Sequence, residues 1–225
     1  MKQTTLLALS LAAKLLTVGM VALGTVLMMS GAADGASLTA RGLKALRYFT
    51  VLSNLLMGLA ALIYAVSLVR ALRGDGAVPI WTQTLLLVAA ASVGLTFLVV
   101  AGFFVPFLHA KDMFVGANFW FHLVIPLFSL LSYVLLDRFA VLPRRAVLLA
   151  AAPMLLYGLA YAVNCLVNGV GDYTNRAALN DWYWFLYWGY PAGLAFFAGL
   201  AGVTLGLGAL LRLGNQAGQA VVHTP

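Results

Sequence analysis

The sequence predicts an all-α fold, a polytopic membrane protein built as a bundle of six transmembrane helices. The first observation behind this prediction is composition. The 225 residues are 64% hydrophobic and only 8% charged, whereas soluble domains are about 25% charged. The second observation is that six apolar stretches follow one another with short connections. Each stretch is long enough to cross a bilayer, which takes about 17–25 residues of helix.

The six helices are predicted near residues 6–29, 48–69, 81–104, 117–136, 146–168 and 183–211. Residues 1–211 are therefore expected to form a single transmembrane domain, and residues 212–225 a short flexible tail. The first stretch also has features of a secretory signal peptide, because Met1-Lys2 precede it and the small residues 31–33 follow it. Its length and the internal Lys14 favour a retained helix.

Basic residues in the connections predict that both termini lie on the cytoplasmic side. In that orientation the inner side carries Lys2, Arg70, Arg73, Arg138, Arg144, Arg145 and Arg212. The outer side carries a smaller set, Arg41, Lys44, Arg47, Lys111 and Arg176. We expect a multi-pass protein of a bacterial inner (plasma) membrane. The sequence does not predict its oligomeric state.

Several classes of function are made improbable by residues that the chain lacks. It contains no glutamate, and its six aspartates fall in predicted connections or at their edges: Asp34, Asp75, Asp112, Asp137, Asp172 and Asp181. With no carboxylate expected deep in the bundle, carboxylate-based proton pumps and intramembrane aspartyl proteases are not predicted. The single cysteine, Cys165, allows no disulfide and no multi-cysteine metal site. No cofactor or metal site is predicted. A nucleic-acid partner is not predicted either, because the basic residues form no cluster.

A polar face opens the second predicted helix. Thr50, Ser53 and Asn54 are spaced i, i+3 and i+4 in the stretch RYFTVLSN and so share one side of a helix. An unpartnered hydroxyl or amide in hydrocarbon costs about 1–3 kcal/mol. This face is therefore expected to look at protein or a wet cavity instead of lipid.

The fourth predicted helix carries a histidine at a matching depth. His122 lies about five residues into helix 4 and Thr50 about three into helix 2, roughly 4–8 Å below the outer helix ends. Asn118 is one turn above His122, and Pro126 is one turn below it. Because proline has no N–H, it leaves the His122 carbonyl without its usual helical partner. Local irregularity is expected beside this histidine.

Two further polar groups are predicted to face the bundle interior. Helix 5 has a polar stripe of Tyr157, Tyr161, Asn164 and Asn168, whose amide end reaches the same outer level. Helix 1 carries Lys14 nearer the midplane, where an ammonium costs about 2.5–3.5 kcal/mol. Because no acid is expected in reach, its predicted partners are carbonyls, hydroxyls, amides or a bound anionic ligand.

An aromatic stretch precedes the sixth predicted helix. Residues 180–190 read NDWYWFLYWGY and include Trp182. Such residues suit an aromatic belt at the membrane interface, and they also suit the mouth of a site that admits an acyl chain. Ser53, Tyr157, Tyr161, Asn168 and Trp182 are the candidate residues of a substrate cavity.

These residues allow hydroxyl and imidazole chemistry. Histidine is the side chain whose pKa, about 6.5, suits a base near neutral pH, and a threonine hydroxyl needs such a base to act as a nucleophile. Thr50 and His122 are the pair that depth brings together. The candidates for stabilising the oxyanion are Asn54, the first choice, with Asn118, Asn164 and Lys14.

Other assignments stay open at this point. A threonine at a helix start is most often a cap or a backbone-bonded hydroxyl. Ser53 and Cys165 are rival nucleophiles, although Cys165 also fits a small core residue beside Tyr161. His109 and His223 are expected in a loop and in the tail, without a functional role.

The motifs RYFTVLSN at 47–54 and NFWFHLVIP at 118–126 resemble the androgen-induced-gene and androgen-dependent TFPI-regulating protein family. That family comprises six-helix membrane proteins that hydrolyse fatty acid esters of hydroxy fatty acids. Its pattern pairs a threonine of helix 2 with a histidine of helix 4. The resemblance implies that Thr50 and His122 form a catalytic dyad.

The resulting expectation is an intramembrane threonine hydrolase that cleaves lipid esters, such as fatty acid esters of hydroxy fatty acids, through an acyl-enzyme. Its partner would be a membrane lipid or a lipid-ester substrate. The alternative is a non-enzymatic lipid or small-solute binding protein or transporter that uses the same polar cavity. In that case Lys14 would pair with an anionic headgroup.

Overall fold

Long apolar stretches with few helix breakers give long helices in the structure, which is a computed structural model. It describes residues 3–30, 42–108, 111–175 and 178–222. We label the long helices α1 (Gln3–Ser30), α2 (Phe49–Arg73), α3 (Ile80–Phe104), α4 (Ala117–Leu135), α5 (Arg145–Asn168) and α6 (Tyr190–Val222). Each is long and apolar enough to cross a bilayer. The prediction of an all-α bundle of six membrane-spanning helices is confirmed.

The first five helices follow the predicted bounds to within about four residues. Six spans place the two termini at the same end of the bundle. Which side of the membrane they face stays a prediction. His109, His223 and the small residues 31–33 lie outside the described residues.

The sixth helix differs from the prediction at both ends. It begins at Tyr190 instead of 183, because residues 182–189 form turns that end at Gly189 with φ 89°. Pro191 follows in the first helical turn. Its missing N–H costs no hydrogen bond there, because the first N–H groups of a helix have no acceptor within the helix. The predicted tail from 212 is wrong as far as Val222, since the helix continues to that residue. Asn215 holds this extension by donating to the Tyr133 carbonyl of α4 at 2.9 Å.

Helix α3 lies at the centre of the bundle, where it is the most buried of the six spans and packs against α2, α4, α5 and α6. Helix α1 packs on α2 and α4. Glycines allow some of these close approaches, as is common between membrane helices. A Cβ added to Gly58 of α2 would lie 2.9 Å from Val21 of α1, and one added to Gly24 of α1 would lie 2.6 Å from the Phe121 ring.

The outward faces of the helices are apolar. On α5, Leu155, Leu156 and Leu159 are each more than half exposed. By contrast, Ser53 and Asn54 of α2 are buried. The polar face of α2 therefore looks into the protein, as the sequence predicts, and leucine-rich surfaces are left for the lipid.

Candidate functional site

Thr50 and His122 line one cavity near the start of α2 and α4. Its free space for water-sized molecules is about 40 Å³, enough for a few waters. The remaining walls are formed by Met28, Ala45, Tyr48, Val51, Val100, Phe104, Met113, Ala117, Asn118, Phe121 and Tyr183. We call this space the His122 cavity. A larger hollow of about 280 Å³ lies at the opposite end of the bundle, and the described residues of its wall include no titratable side chain.

The imidazole of His122 is held in one orientation. Its Nδ1 lies 2.8 Å from the carbonyl oxygen of Met113, in the short 3-10 helix Lys111–Phe114 that precedes α4. A carbonyl only accepts hydrogen bonds, so Nδ1 carries the hydrogen and Nε2 keeps its lone pair. This tautomer leaves Nε2 as the basic atom of a buried ring that borders the cavity.

The backbone around His122 is irregular, as the presence of Pro126 predicts. Residues Trp120–Val124 form a π-helical turn, in which the Ile125 N–H bonds to the Trp120 carbonyl. In this pattern the donor to the Phe121 carbonyl would be residue 126, a proline without an N–H. The unpaired carbonyl is therefore that of Phe121, one residue before the position expected from an α-helical pattern.

Asn54 of α2 fills this gap. Its Nδ2 donates to the Phe121 carbonyl at 3.0 Å and to the Thr50 carbonyl at 2.7 Å. Both amide hydrogens are then engaged, and Asn54 is absent from the cavity wall. This geometry argues against Asn54 as the oxyanion donor and gives it a structural role that joins α2 to α4.

A second π-helical turn borders the same cavity. Val100–Phe104 at the end of α3 form it, and Pro106 follows two residues later, just as Pro126 follows the turn in α4. Val100 and Phe104 both line the cavity. π turns are rare and frequently occur at functional sites. Their presence on two walls of the cavity therefore favours a functional site at this end of the bundle.

An apolar cavity adjoins the first on the far side of Thr50. Its free space for water-sized molecules is about 50 Å³. Thr50, Val100, Phe104 and Tyr183 border both cavities. The rest of its wall consists of Phe49, Leu95, Thr96, Val99, Met154 and Phe185. Thr50 thus lies between a wall that carries an imidazole and a wall suited to hydrocarbon.

Thr50 is the second residue of α2. Among the hydrogen bonds of the residues that the structure describes, none joins its hydroxyl to His122. The two side chains share a cavity without a hydrogen bond between them in the described part of the chain, so the dyad stays a prediction. Catalytic hydrogen bonds are often long in the absence of substrate and shorten when it binds.

Tyr183, which the sequence places only in the aromatic stretch, is the main residue of the cavity wall that the site predictions omit. Its Oη accepts the N–H of Phe49 at 3.0 Å, and its own N–H donates to Tyr161 Oη at 3.0 Å. Burial raises the pKa of the Tyr183 phenol, and hydrogen bonding by Phe49, Tyr157 and Thr50 acts to lower the pKa.

The aromatic stretch is a folded cap with a buried acid at its base. Asp181 is fully buried and accepts hydrogen bonds from Tyr161, from Tyr173 at 2.7 Å and from the Leu186 N–H at 2.9 Å. Trp188, at 76% exposure, retains the character of an interfacial aromatic.

The residues predicted to line a substrate cavity are engaged in other contacts. Ser53 bonds to Thr96 at 3.1 Å, Tyr157 donates to the Arg47 carbonyl at 2.7 Å, and Trp182 Nε1 donates to Tyr157 at 3.0 Å. Asn168 is exposed and donates to Asn164 at 3.0 Å. None of the five predicted residues, Ser53, Tyr157, Tyr161, Asn168 and Trp182, is in the wall of either cavity. Of the predicted oxyanion donors, Asn118 alone borders the His122 cavity.

The prediction that no acid reaches Lys14 is wrong. Lys14 Nζ lies 2.6 Å from Asp137 Oδ2, and both side chains are fully buried. Asp137 follows α4 by two residues, but its chain turns inward, where Ser10 donates to Oδ1 at 2.5 Å. The assumption that no carboxylate is buried fails here, and with it the argument from composition against proton chemistry.

A polar cluster surrounds this ion pair at the end of the bundle opposite His122. Gln83 and Asn215 donate to the Asp137 carbonyl at 2.9 and 2.7 Å, and Lys14 donates to Ser132 at 3.0 Å. Burial raises the pKa of the Asp137 carboxyl, and the Lys14 ammonium acts to lower the pKa. Lys14 is therefore engaged far from the His122 cavity and supplies nothing to an oxyanion there.

Comparison with family models, with curated proteins and with solved structures finds no match for this chain. The geometry of the His122 cavity and the resemblance of the two motifs are therefore the observations that bear on function.

Proposed function

We propose that this protein is an intramembrane threonine hydrolase that cleaves lipid esters, with Thr50 as nucleophile and His122 as base. The observation that carries the proposal is the shared cavity. Thr50 from α2 and His122 from α4 border it together, and the Met113 carbonyl holds His122 in the tautomer that leaves Nε2 free to accept a proton.

The adjoining apolar cavity supports a substrate with a hydrocarbon chain. Its wall is made mainly of Phe, Leu, Val and Met side chains, and Thr50 stands at the boundary between the two spaces. An acyl chain in the apolar cavity would bring its ester carbonyl towards Thr50. This arrangement agrees with the resemblance to hydrolases of fatty acid esters of hydroxy fatty acids.

The reaction would proceed in two halves. Thr50 Oγ1 attacks the ester carbonyl carbon while its proton passes to His122 Nε2, directly or through one water. The tetrahedral intermediate then expels the alcohol, which takes the proton from His122, and leaves an acyl-Thr50 ester. Water attacks that ester with His122 again as base, and its collapse releases the fatty acid and restores Thr50.

The test is hydrolysis of a fatty acid ester of a hydroxy fatty acid by the purified protein in detergent. Thr50→Ala and His122→Ala should abolish turnover, and Thr50→Ser should retain part of it because serine keeps the hydroxyl. Folding is checked in each variant with a thiol-reactive dye, since Cys165 is the single cysteine and is fully buried. Full turnover by folded Thr50→Ala would refute the proposal.

The competing function is a non-enzymatic carrier of lipids or small solutes. A fluorophosphonate probe distinguishes this carrier from the hydrolase. Covalent labelling at Thr50, located by mass spectrometry, supports the hydrolase. Reversible binding of the ester with neither labelling nor product supports the carrier. The bacterial inner membrane is the location we propose for either function, with both termini in the cytoplasm.

A further inference from the structure

A threonine hydrolase needs a donor for the negative charge that develops on the ester carbonyl oxygen. Three of the predicted oxyanion donors are bonded to other groups or lie outside the two cavities. Asn54 donates to two backbone carbonyls, Lys14 is paired with Asp137, and Asn164 lies outside both cavity walls. Tyr183 borders both cavities beside Thr50.

The phenol oxygen of Tyr183 is placed next to the nucleophile by a backbone bond. It accepts the N–H of Phe49, the residue before Thr50, at 3.0 Å. Among the hydrogen bonds of the described residues, none uses the phenol hydrogen of Tyr183 as donor. Because the side chain borders both cavities, this hydrogen can be directed to a carbonyl oxygen bound beside Thr50.

Tyr183 is also held rigidly. Its ring stacks on Phe185 with centroids 5.1 Å apart, and its N–H is bonded to Tyr161 Oη. Tyr161 is in turn fixed by the buried carboxylate of Asp181. A donor that is already oriented needs little reorganisation during the reaction, and such donors stabilise an oxyanion most effectively.

We propose that Tyr183 is a further catalytic residue, whose O–H donates a hydrogen bond to the ester carbonyl oxygen as Thr50 attacks. This inference depends on the proposed hydrolase. As the Thr50 Oγ1–carbon bond forms, the carbonyl π electrons move to oxygen, and Tyr183 stabilises that charge without giving up its proton. When the intermediate collapses the electrons return and the alcohol leaves.

The raised pKa of the Tyr183 phenol agrees with this role. A free tyrosine loses its proton near pH 10, so the buried phenol keeps its proton through the whole neutral and mildly alkaline range. It therefore remains a hydrogen-bond donor throughout that range.

The experiment compares Tyr183→Phe with wild type in the hydrolysis of a p-nitrophenyl ester of a long-chain fatty acid. We expect kcat to fall by about 10²–10³-fold, the loss typical of one oxyanion donor, with little change in KM. The thiol-reactive dye monitors folding through Cys165. Tyr187→Phe is the matched control, because Tyr187 belongs to the same stretch but lies outside both cavity walls. It should leave kcat unchanged.

A second variant covers the case in which Tyr183→Phe does not fold. Incorporation of 3,5-difluorotyrosine at position 183 keeps the ring and the hydroxyl but lowers the pKa of the phenol. The alkaline limb of the kcat profile should then move to lower pH. An unchanged kcat in folded Tyr183→Phe, or an unchanged pH profile, would overturn the inference. Activity in Thr50→Ala would instead overturn the proposed function, so the two failures are distinguishable.

Discussion

The side-chain amide of Asn54 donates to the main-chain carbonyl of Phe121 at 3.0 Å. This bond joins α2 to α4 at the carbonyl that the π turn and Pro126 together leave without a helical donor. Because Asn54 is one turn from Thr50 and Phe121 precedes His122, the same bond fixes the relative position of the two proposed catalytic side chains. Asn54, on the polar face of α2, therefore supplies the hydrogen-bond donor that the irregular backbone of α4 lacks.

Replacing Asn54 with leucine should destabilise the protein and lower ester hydrolysis. The Phe121 carbonyl would be buried without a donor, which costs about 1–3 kcal/mol, and α4 would be free to shift relative to Thr50. Thermal unfolding followed with the thiol-reactive dye gives the stability change. Ser67→Ala is the control on the same helix, because the hydrogen bond of Ser67 within the described part of the chain goes to the Ile63 carbonyl of its own helix. Equal melting temperatures for both variants would contradict this assignment.

A methyl group at Gly24 should disturb the cavity, whereas one at Gly19 should not. Both glycines are on α1, but a Cβ at Gly24 would lie 2.6 Å from the Phe121 ring, and one at Gly19 meets no atom of the described residues within 4 Å. Gly24→Ala is therefore expected to push Phe121 aside, lowering kcat and the melting temperature. Gly19→Ala should be neutral or slightly stabilising, because alanine is the better helix former. The prediction fails if the two variants behave alike.

The turn before α4 should also be sensitive to substitution. Gly116 has φ 58° and ψ −133°, a conformation that residues with a Cβ avoid. Gly116→Ala should cost about 1–3 kcal/mol of strain and move the Met113 carbonyl away from His122 Nδ1. We expect the pH dependence of kcat to change as the imidazole loses its fixed tautomer. A pH profile identical to that of wild type would show that the turn does not control His122.

The Lys14–Asp137 pair should behave as a unit. Lys14→Met or Asp137→Leu alone would leave one buried charge without its partner, at a cost of about 3–5 kcal/mol. The double variant removes both charges and should recover most of the lost stability. The four proteins of this cycle are compared by thermal unfolding in detergent. If the two single losses simply add in the double variant, the ion pair is not energetically coupled.

The sequence predicts much of this architecture because the interactions that produce it are between residues close together in the chain. Hydrophobic length sets the spans of α1 to α5, and proline chemistry predicts the irregular turn at His122. The inward direction of Ser53 and Asn54 follows from their spacing and from the cost of polar groups in lipid. These features depend on neighbouring residues in the chain, which a sequence displays directly.

The features that the sequence does not predict depend on long-range contacts. Asp137 lies in a polar connection by hydropathy, and nothing local indicates that it turns inward to Lys14. Tyr183 stands among several similar aromatic residues, and only the fold of the cap brings it to Phe49 and Thr50. The length of α6 is likewise set by Asn215, whose partners are on α4.

The burial of Asp137 also changes the electrostatics of the membrane surface at that end. Asp137 is the single acid of residues 136–144, and its carboxylate is withdrawn into the bundle. Arg144 and Arg145 remain exposed. This connection therefore presents only positive charge to the lipid headgroups, and each arginine near an anionic leaflet contributes about 1 kcal/mol of attraction. The ion pair that links α1 to the end of α4 thus also leaves a connection whose exposed charges are basic, and we expect this connection to favour anionic lipid headgroups.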